Sequence, residues 1–444
     1  MARRLTIPSS AASADSPSST TVRQMSHGRI LGNVVSLYSL QGLNYLLPAL
    51  ILPYLIRELG IEKYGLIAFA QSFAQYFTTF TDYGFNFSAT RRIAQSSTDR
   101  EATSRVFSAV LTVKVFLMLA GILLLAVVLM VFQRFRDDRP VYIIAYLAVV
   151  GNVLFPTWLY QGLEEMKYIS IATAITKLVS AFALILFVHK PQDYLLALAF
   201  QSGGVVIAGL IGLGMAVWRF GIRFYIPTRL ELISITRDGW HLFLSTAAVS
   251  LYTNTNVFLV GVLGGNIQAG YFSAAEKLVR AMQGLINPVM QAIFPHISLL
   301  AKEAPEAALK FIMKTLKWMA GATIMPCLLL LLFAHEVARL CFGPGVEGCE
   351  NVIRWIAFLP FLIALSNVLG IQTMVTFRMD SAFSKILVIA GAVNIACAVP
   401  LILRFGATGA GGAVLLTETF VTACMAIVLI RSGLFAAATE PIIG

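Results

Sequence analysis

Three charged residues lie within one turn of an otherwise apolar segment in the second half of the sequence. Glu276, Lys277 and Arg280 stand inside GYFSAAEKLVRAMQGLINPVMQAIFP, residues 270–295. A charge at bilayer depth costs about 2.5–3.5 kcal/mol on insertion scales, so it usually faces a water-filled path or a partner. Glu276 and Arg280 are four residues apart and can pair on a helix, which leaves Lys277 as the net positive charge. The segment therefore indicates transport rather than passive anchoring.

Amide side chains fall inside other apolar runs. Gln41 and Asn44 lie one helical turn apart in the first run, and Asn254 and Asn256 lie in the seventh. Such amides either line a polar cavity or hydrogen-bond between helices and only pack the bundle. The pattern leaves both interpretations open.

An acid and two arginines stand near the inner end of the second run. Asp82 lies in TDYGFNFSATRR, and Arg91 and Arg92 close that stretch. A carboxylate two to three turns from basic residues could form an inner gate with them. A simple capping or loop role is the alternative.

Three further ionisable residues stand inside apolar runs. Glu418, near the middle of the last run, has no nearby cation in sequence. Burial raises the pKa of a carboxyl group, so this residue is a candidate proton or ion-coupling site. Lys114 and Lys177 lie a few turns from the inner ends of the third and fifth runs and either line a cavity or snorkel to the surface.

Enzyme motifs are absent or lack their context. GPGVEG, residues 343–348, fits GxGxxG but follows no strand, and no GxxxxGK[ST] phosphate loop occurs. No metal-ligand spacing and no cofactor motif are present. A membrane polymerase or ligase would need a large outer loop, whereas the longest here, residues 335–351, is short and glycine-rich. We expect no catalytic residues, cofactor or metal, and thus a transporter.

The elements that must position these residues are membrane helices. The chain of 444 residues is 58% hydrophobic and only 12% charged, far from a soluble domain. Because lipid satisfies no backbone polar groups, long apolar runs must form a helical bundle. We predict an all-α integral membrane protein with about twelve transmembrane helices, at residues 31–56, 65–90, 106–133, 141–163, 168–189, 192–218, 239–264, 268–298, 313–334, 352–377, 381–403 and 408–431.

The charge distribution predicts the orientation. With the N-terminus inside, the inner loops hold 20 of the 33 Lys and Arg residues and the outer loops hold 9. Inner loops carry the excess of basic residues, so both termini are expected in the cytoplasm. The net charge of +11 thus reflects topology and attraction to anionic membrane lipids rather than nucleic-acid binding. The polar segment 1–28 reads as a disordered cytoplasmic tail.

The chain repeats itself. LGIEKYGLIAFA, residues 59–70, follows the first run, and LGGNIQAGYFSAA, residues 263–275, follows the seventh. The repeat divides twelve helices into two six-helix lobes, residues 29–218 and 239–432, joined by a basic cytoplasmic connector, 219–238, and followed by a tail, 433–444. Parallel repeats of this kind recur in transporters with a central cavity between the lobes.

The repeat also sets a depth for the charged turn. If the eighth helix begins at Gly270, as the second begins at Gly65, Arg280 lies about 15 Å into the bilayer. If the helix begins near Leu278, the charges snorkel to the outer surface. Cys341 and Cys349, in one outer loop, either form a disulfide or remain free thiols.

Several segments resemble one family. LYSLQGLNYLLPALILPYLIRELGIEKYGLIAFAQSFAQYFTTFTDYGFNFSATRRIA (37–94) resembles the opening helices of the Wzx-type polysaccharide flippases, and residues 270–298 and 342–360 resemble later segments. The resemblance implies a MOP/MATE-like fold and a polyprenyl-pyrophosphate-linked oligosaccharide substrate, such as an O-antigen unit of lipopolysaccharide. Such flippases move it across a bacterial inner membrane, from the cytoplasmic to the periplasmic leaflet, driven by ion gradients.

The resemblance suggests ligands for the polar residues. A pyrophosphate needs cations inside a polar cavity, and Lys277 and Arg280 are the best candidates. The four amides would contact sugars or the headgroup, and other polysaccharide assembly proteins are possible further partners. The alternative function is an ion-coupled small-molecule or drug exporter of the same fold.

Overall fold

The computed structural model describes the backbone of residues 27–96, 98–343 and 347–434 and, from residue 47, most side chains. All regular secondary structure in this part of the chain is helical, which agrees with the predicted all-α class. The helices are α1 (His27–Asp82), α2 (Phe85–Gln95), α3 (Arg100–Val131), α4 (Gln133–Asp137), α5 (Arg139–Leu154), α6 (Thr157–Gly162), α7 (Lys167–Phe187), α8 (Tyr194–Trp218), α9 (Arg229–Glu303), α10 (Pro305–Leu332), α11 (Ala334–Phe342), α12 (Glu347–Ile356), α13 (Leu359–Asn367) and α14 (Asp380–Arg431). A π-helix, Val368–Val375, continues α13.

Three of these helices are hairpins broken at a glycine. Gly60 in α1, Gly265 in α9 and Gly406 in α14 have φ values of 76°, 86° and 59°. Glycine adopts this left-handed region without the steric cost that a Cβ imposes. In α1 the chain returns so that Leu47 and Gln75 line one cavity.

In α9 and α14 the two arms of the hairpin also lie side by side. The Asn394 amide donates to the Thr417 hydroxyl across α14 at 3.2 Å. Asn256 and Glu276, on either side of the break in α9, line one small cavity. A straight helix of the length of α9, 75 residues, would be about 110 Å long, far more than a bilayer core of about 30 Å.

The tips of the α1 and α9 hairpins interlock through the repeated glycines. A Cβ added to Gly65 would lie 1.8 Å from the Asn266 carbonyl oxygen and 2.7 Å from the Gly270 nitrogen. A Cβ on Gly270 would lie 2.5 Å from the Ile61 carbonyl oxygen. The two contacts are reciprocal, since Ile61 and Asn266 each precede the repeated glycine by four residues.

Below these tips, the second arm of α1 runs along the first arm of α9. Phe258 of α9 stacks on Phe69 and on Phe73, with ring centroids 5.5 and 5.9 Å apart. Further along, the Tyr76 hydroxyl donates to the Thr255 hydroxyl at 3.0 Å. This packing, which we call the α1–α9 seam, forms the centre of the largest apolar core.

Eight helices of the described chain are long and apolar enough to cross a membrane. Two of the eight, Asn254–Glu303 and Asp380–Arg431, contain the glycine breaks of α9 and α14. The α1 hairpin is not among them. The predicted class of multi-pass membrane protein is confirmed.

Two alternatives left open by the sequence are decided by the structure. The second arm of α9 is helical from the residue after Gly265, so this helix begins before Gly270 and not near Leu278. Cys341 and Cys349 are free thiols, and the Cys349 thiol donates to the Tyr271 carbonyl at 3.7 Å.

Candidate functional site

Two cavities hold the candidate residues, and the larger of them lies among helices of the first half of the chain. It has a volume of about 490 Å³ and is bounded by both arms of α1 together with α5, α7 and α8. Lys277 alone reaches it from α9. The side chains with polar groups in its wall are Tyr64, Gln71, Gln75, Thr78, Asn152, Thr173, Thr176, Lys177, Ser180, Gln201, Ser202 and Lys277. The rest of the wall is apolar, so the cavity is amphipathic, with two cationic side chains among its polar groups.

Lys277 lies on the third turn after the break in α9. Its ammonium nitrogen lies 5.2 Å from the ring centroid of Tyr64, within the range of a cation–π interaction. Tyr64 is 1% exposed, and its hydroxyl lies 3.3 Å from the Ser273 hydroxyl. The aromatic face thus holds the ammonium group in the cavity wall without neutralising its charge.

Lys177 brings a second cation to the same cavity from α7. Nearby, the Gln71 amide donates to the Gln201 side-chain oxygen at 3.0 Å, and the Gln201 amide donates to the Ala197 carbonyl at 3.2 Å. An amide pair of this kind keeps acceptors and donors available to a polar ligand. The arrangement suits an anion that carries hydroxyl groups.

The smaller cavity lies among helices of the second half. Its volume is about 170 Å³, and Asn256, Glu276, Arg280, Gln283 and Glu418 line it together with apolar side chains. Arg280 donates to Glu276 at 2.8 Å in an ion pair whose members are 47% and 22% exposed. The Asn256 side chain is 4% exposed, and its oxygen has no hydrogen-bond partner.

Lys277 and Arg280 do not meet in one cavity. Glu276 and Arg280 are four residues apart and therefore share a helix face, whereas Lys277 points about 100° away from Glu276. Lys277 enters the larger cavity and Arg280 the smaller one. The two cations grouped by sequence are thus separated by their own helix.

Glu418 of α14 joins Glu276 and Arg280 in the smaller cavity. The absence of a cation near it in sequence suggested an isolated acid, but Glu418 has an interaction partner in the structure. Asn256 lies in this cavity too, whereas Asn254 lines neither cavity and donates to the Ser250 hydroxyl at 3.3 Å. The side chains of Gln41 and Asn44 lie outside the described residues.

Asp82 pairs with a lysine rather than with the arginines that follow it. The Lys114 ammonium lies 2.9 Å from an Asp82 carboxylate oxygen and 3.2 Å from the Asn152 carbonyl. Lys114 is 1% exposed and Asp82 26%. The ion pair joins α1 to α3 inside the first half, so Asp82 is an ion-pair acid whose partner is Lys114 rather than Arg91 or Arg92.

Arg92 instead joins α2 to α9. Its guanidinium donates to the Asp238 carboxylate through Nε at 2.9 Å and to the Ser234 hydroxyl at 2.7 Å. Arg91, one residue earlier, is exposed. This ion pair ties the end of α2 to the beginning of α9, close to the connector.

The larger cavity and the ion pair of Arg92 also contain residues that the sequence pattern did not indicate. Gln201, Asn152 and Asp238 come from three elements distant in sequence. The repeat carries a partial signal, because the alignment of Gly65 with Gly270 places Gln71 at the position of Glu276. No group of acidic, histidine and cysteine side chains among the described residues could hold a metal ion.

The chain was compared with known families and proteins. Residues 30–301 match the family described as "Polysaccharide biosynthesis protein". A protein of Escherichia coli (strain K12), named "Putative O-antigen transporter", is 35% identical over 399 residues, which is 88% of this chain and 95% of that protein.

Solved structures show the same fold at low identity. An inward-facing multidrug resistance MATE family transporter of the MOP superfamily has a TM-score of 0.71 at 14% identity, covering 92% of this chain and 100% of that one. The lipid II flippase MurJ, in an inward closed conformation, has a TM-score of 0.68 at 11% identity, covering 92% and 90%. Since the family match spans more than half of its length, the chain belongs to the polysaccharide biosynthesis protein family.

Proposed function

We propose that the chain is a flippase that moves polyprenyl-pyrophosphate-linked oligosaccharide, such as an O-antigen repeat unit, from the cytoplasmic to the periplasmic leaflet. The observation that carries this proposal is the 35% identity to the protein named "Putative O-antigen transporter", over 88% of this chain and 95% of that protein. The chain is a transporter rather than an enzyme. The shared fold with a lipid flippase and a multidrug transporter is compatible with this function but does not separate the two.

The architecture that we propose has twelve membrane crossings in two six-helix lobes, 29–218 and 239–432, in a bacterial inner membrane. Its support is that α1, α9 and α14 each fold back at a glycine and contribute two arms. The reciprocal contact of Gly65 and Gly270 supports two lobes related by a pseudo-twofold axis. The excess of basic residues in inner loops supports cytoplasmic termini and a cytoplasmic connector, 219–238.

The pyrophosphate site that we propose is the larger cavity. Lys177 and Lys277 approach it from different lobes, so an anion between them would offset their repulsion and draw the lobes together. Gln71 and Gln201 supply hydrogen-bonding groups for the first sugars. The polyprenyl chain would remain in the lipid hydrocarbon, so its movement between leaflets would expose no apolar surface to water.

The smaller cavity is our candidate for ion coupling. Glu276 and Glu418 supply carboxylates, Arg280 supplies a competing cation, and the buried Asn256 oxygen supplies a further acceptor. A proton or metal cation that entered would compete with Arg280 for the carboxylates, which would change the packing of both α9 arms. Alternating access would also require the Arg92–Asp238 ion pair to break when the cytoplasmic side opens.

The test replaces the cavity lysines by glutamine. In a deletion strain complemented with Lys177→Gln or Lys277→Gln, we expect surface polysaccharide to fall and lipid-linked oligosaccharide to accumulate on the cytoplasmic leaflet. A charge-assisted hydrogen bond contributes about 1.5–3 kcal/mol, so each change should cost roughly tenfold to a hundredfold in transport. Lys190→Gln, on an exposed position outside both cavities, is the matched control.

Two results would contradict the proposal. Normal surface polysaccharide in the double lysine variant, at wild-type protein level, would remove the larger cavity as the pyrophosphate site. Normal polysaccharide in the deletion strain, together with new sensitivity to drugs, would instead favour a small-molecule exporter.

A further inference from the structure

The connector between the two halves is fastened to the beginning of α3. The Arg223 and Tyr225 backbone N–H groups donate to the Ser104 and Ser108 hydroxyls at 3.2 and 2.9 Å. Between α8 and these two residues the chain turns, and the Ile222 side chain, 3% exposed, packs in an apolar core of the first half. The connector is therefore a fixed part of the surface rather than a loose link.

This fixed segment presents large apolar side chains outward. Trp218 is 89% exposed, Phe224 60%, Ile226 90% and Leu230 79%. Large apolar side chains that stand exposed on one segment mark a membrane or protein interaction site. Trp218 is the last residue of α8, where a membrane helix reaches the interface and tryptophan is enriched.

Basic side chains alternate with the apolar ones. Arg219, Arg223 and Arg229 are all exposed. The two acids nearby are already engaged: Glu231 accepts hydrogen bonds in the capping box of α9, and Asp238 pairs with Arg92 of α2. The surface thus combines apolar residues with an excess of arginine, the composition of segments that lie in the headgroup layer of an anionic membrane.

We propose that residues 218–230 form a lipid-binding surface that inserts its apolar side chains into the cytoplasmic leaflet and binds anionic phospholipid headgroups through its arginines. The occupant is lipid rather than a soluble protein because the segment continues directly from a membrane helix and its exposed arginines complement anionic headgroups. This inference is independent of what the protein transports.

The test measures how deeply one residue of the connector lies in a bilayer. A nitroxide label at Ile226, in protein reconstituted in nanodiscs, is compared for collision with oxygen, which enters lipid, and with a water-soluble nickel complex. Glu303, exposed at the C-terminal end of α9, is the matched control label. In phosphatidylglycerol-containing discs we expect the Ile226 label to favour oxygen several-fold more than the Glu303 label does.

Lipid composition and charge then separate the outcomes. In discs of phosphatidylcholine alone, or with Arg219, Arg223 and Arg229 all changed to Gln, the Ile226 label should move toward water. Equal nickel accessibility of the two labels in anionic discs would overturn membrane insertion. Insertion that is indifferent both to phosphatidylglycerol and to the arginine substitutions would overturn the recognition of anionic headgroups.

A second measurement avoids replacing the native cysteines. Quenching of tryptophan fluorescence by lipids brominated near the headgroup is compared between the wild type and Trp218→Phe. The difference, which reports on Trp218, should be larger with brominated phosphatidylglycerol than with brominated phosphatidylcholine. No quenching of this difference by either lipid would contradict the proposal.

Discussion

The buried ion pair between Asp82 and Lys114 should respond very differently to the loss of each partner. The Lys114 side chain is 1% exposed, whereas the Asp82 side chain is 26% exposed. Breaking a buried pair is costly because it leaves an uncompensated charge away from water. The cost should therefore be decided by which charge remains.

Asp82→Asn leaves the ammonium group buried with only neutral acceptors, one of them the Asn152 carbonyl at 3.2 Å. We expect the free energy of unfolding to fall by about 3 kcal/mol, the lower end of the range for a broken buried pair, because an amide oxygen still accepts a hydrogen bond. Lys114→Met leaves a carboxylate that reaches water, and roughly 1–2 kcal/mol should be lost. The double variant buries no charge and should resemble Lys114→Met.

The assay is unfolding of the purified protein in mixed micelles, with apparent melting in mild detergent as a second readout. The cycle of two single variants and the double variant isolates the coupling between the two side chains, about 3 kcal/mol on these figures. Glu101→Gln removes an exposed ion pair with Arg105 and should change stability by less than about 0.5 kcal/mol. The reasoning fails if Lys114→Met is as damaging as Asp82→Asn, or if the double variant is the least stable.

Two further predictions concern the contacts between the halves. Gly65→Ala should lower the apparent melting temperature and cost about 1–3 kcal/mol of stability, because its Cβ would meet the Asn266 backbone. Gly203→Ala is the control, because its Cβ would enter open space and should be tolerated. Equal melting temperatures of the two variants would rule out the interlocked hairpin tips. Arg92→Asp should lower transport roughly fivefold, since a partly exposed ion pair contributes about 1 kcal/mol. Adding Asp238→Arg restores opposite charges and should restore transport. A double variant that transports as poorly as the single variant would contradict the role of the pair.

Much of the fold could be predicted from the sequence, because lipid imposes strong rules on the chain. Apolar runs must be helices, and a basic excess marks the inner loops. The repeated leucine-glycine motif fell at two of the three hairpin breaks, Gly60 and Gly265. The break at Gly406 lies between two predicted helices but carries no repeat.

The candidate site could be predicted only in part. The charged turn at Glu276, Lys277 and Arg280 was visible because charges are rare in apolar helices. Sequence spacing gives the helix face of each charge, but it does not tell which cavity a face meets, since that depends on the helices packed on either side. Lys277 therefore needed Lys177 of α7 as its companion in the larger cavity, and no local pattern connects the two.

The sequence by itself determined the membrane class, the glycine hairpins and the presence of charge within apolar helices. These properties follow from local chemistry, which is the same wherever the segment packs. Only the tertiary structure decided the partners: Lys114 for Asp82, Asp238 for Arg92, and separate cavities for Lys277 and Arg280. The physical reason is that an ion pair or a cavity depends on distances of a few ångströms between segments far apart in sequence.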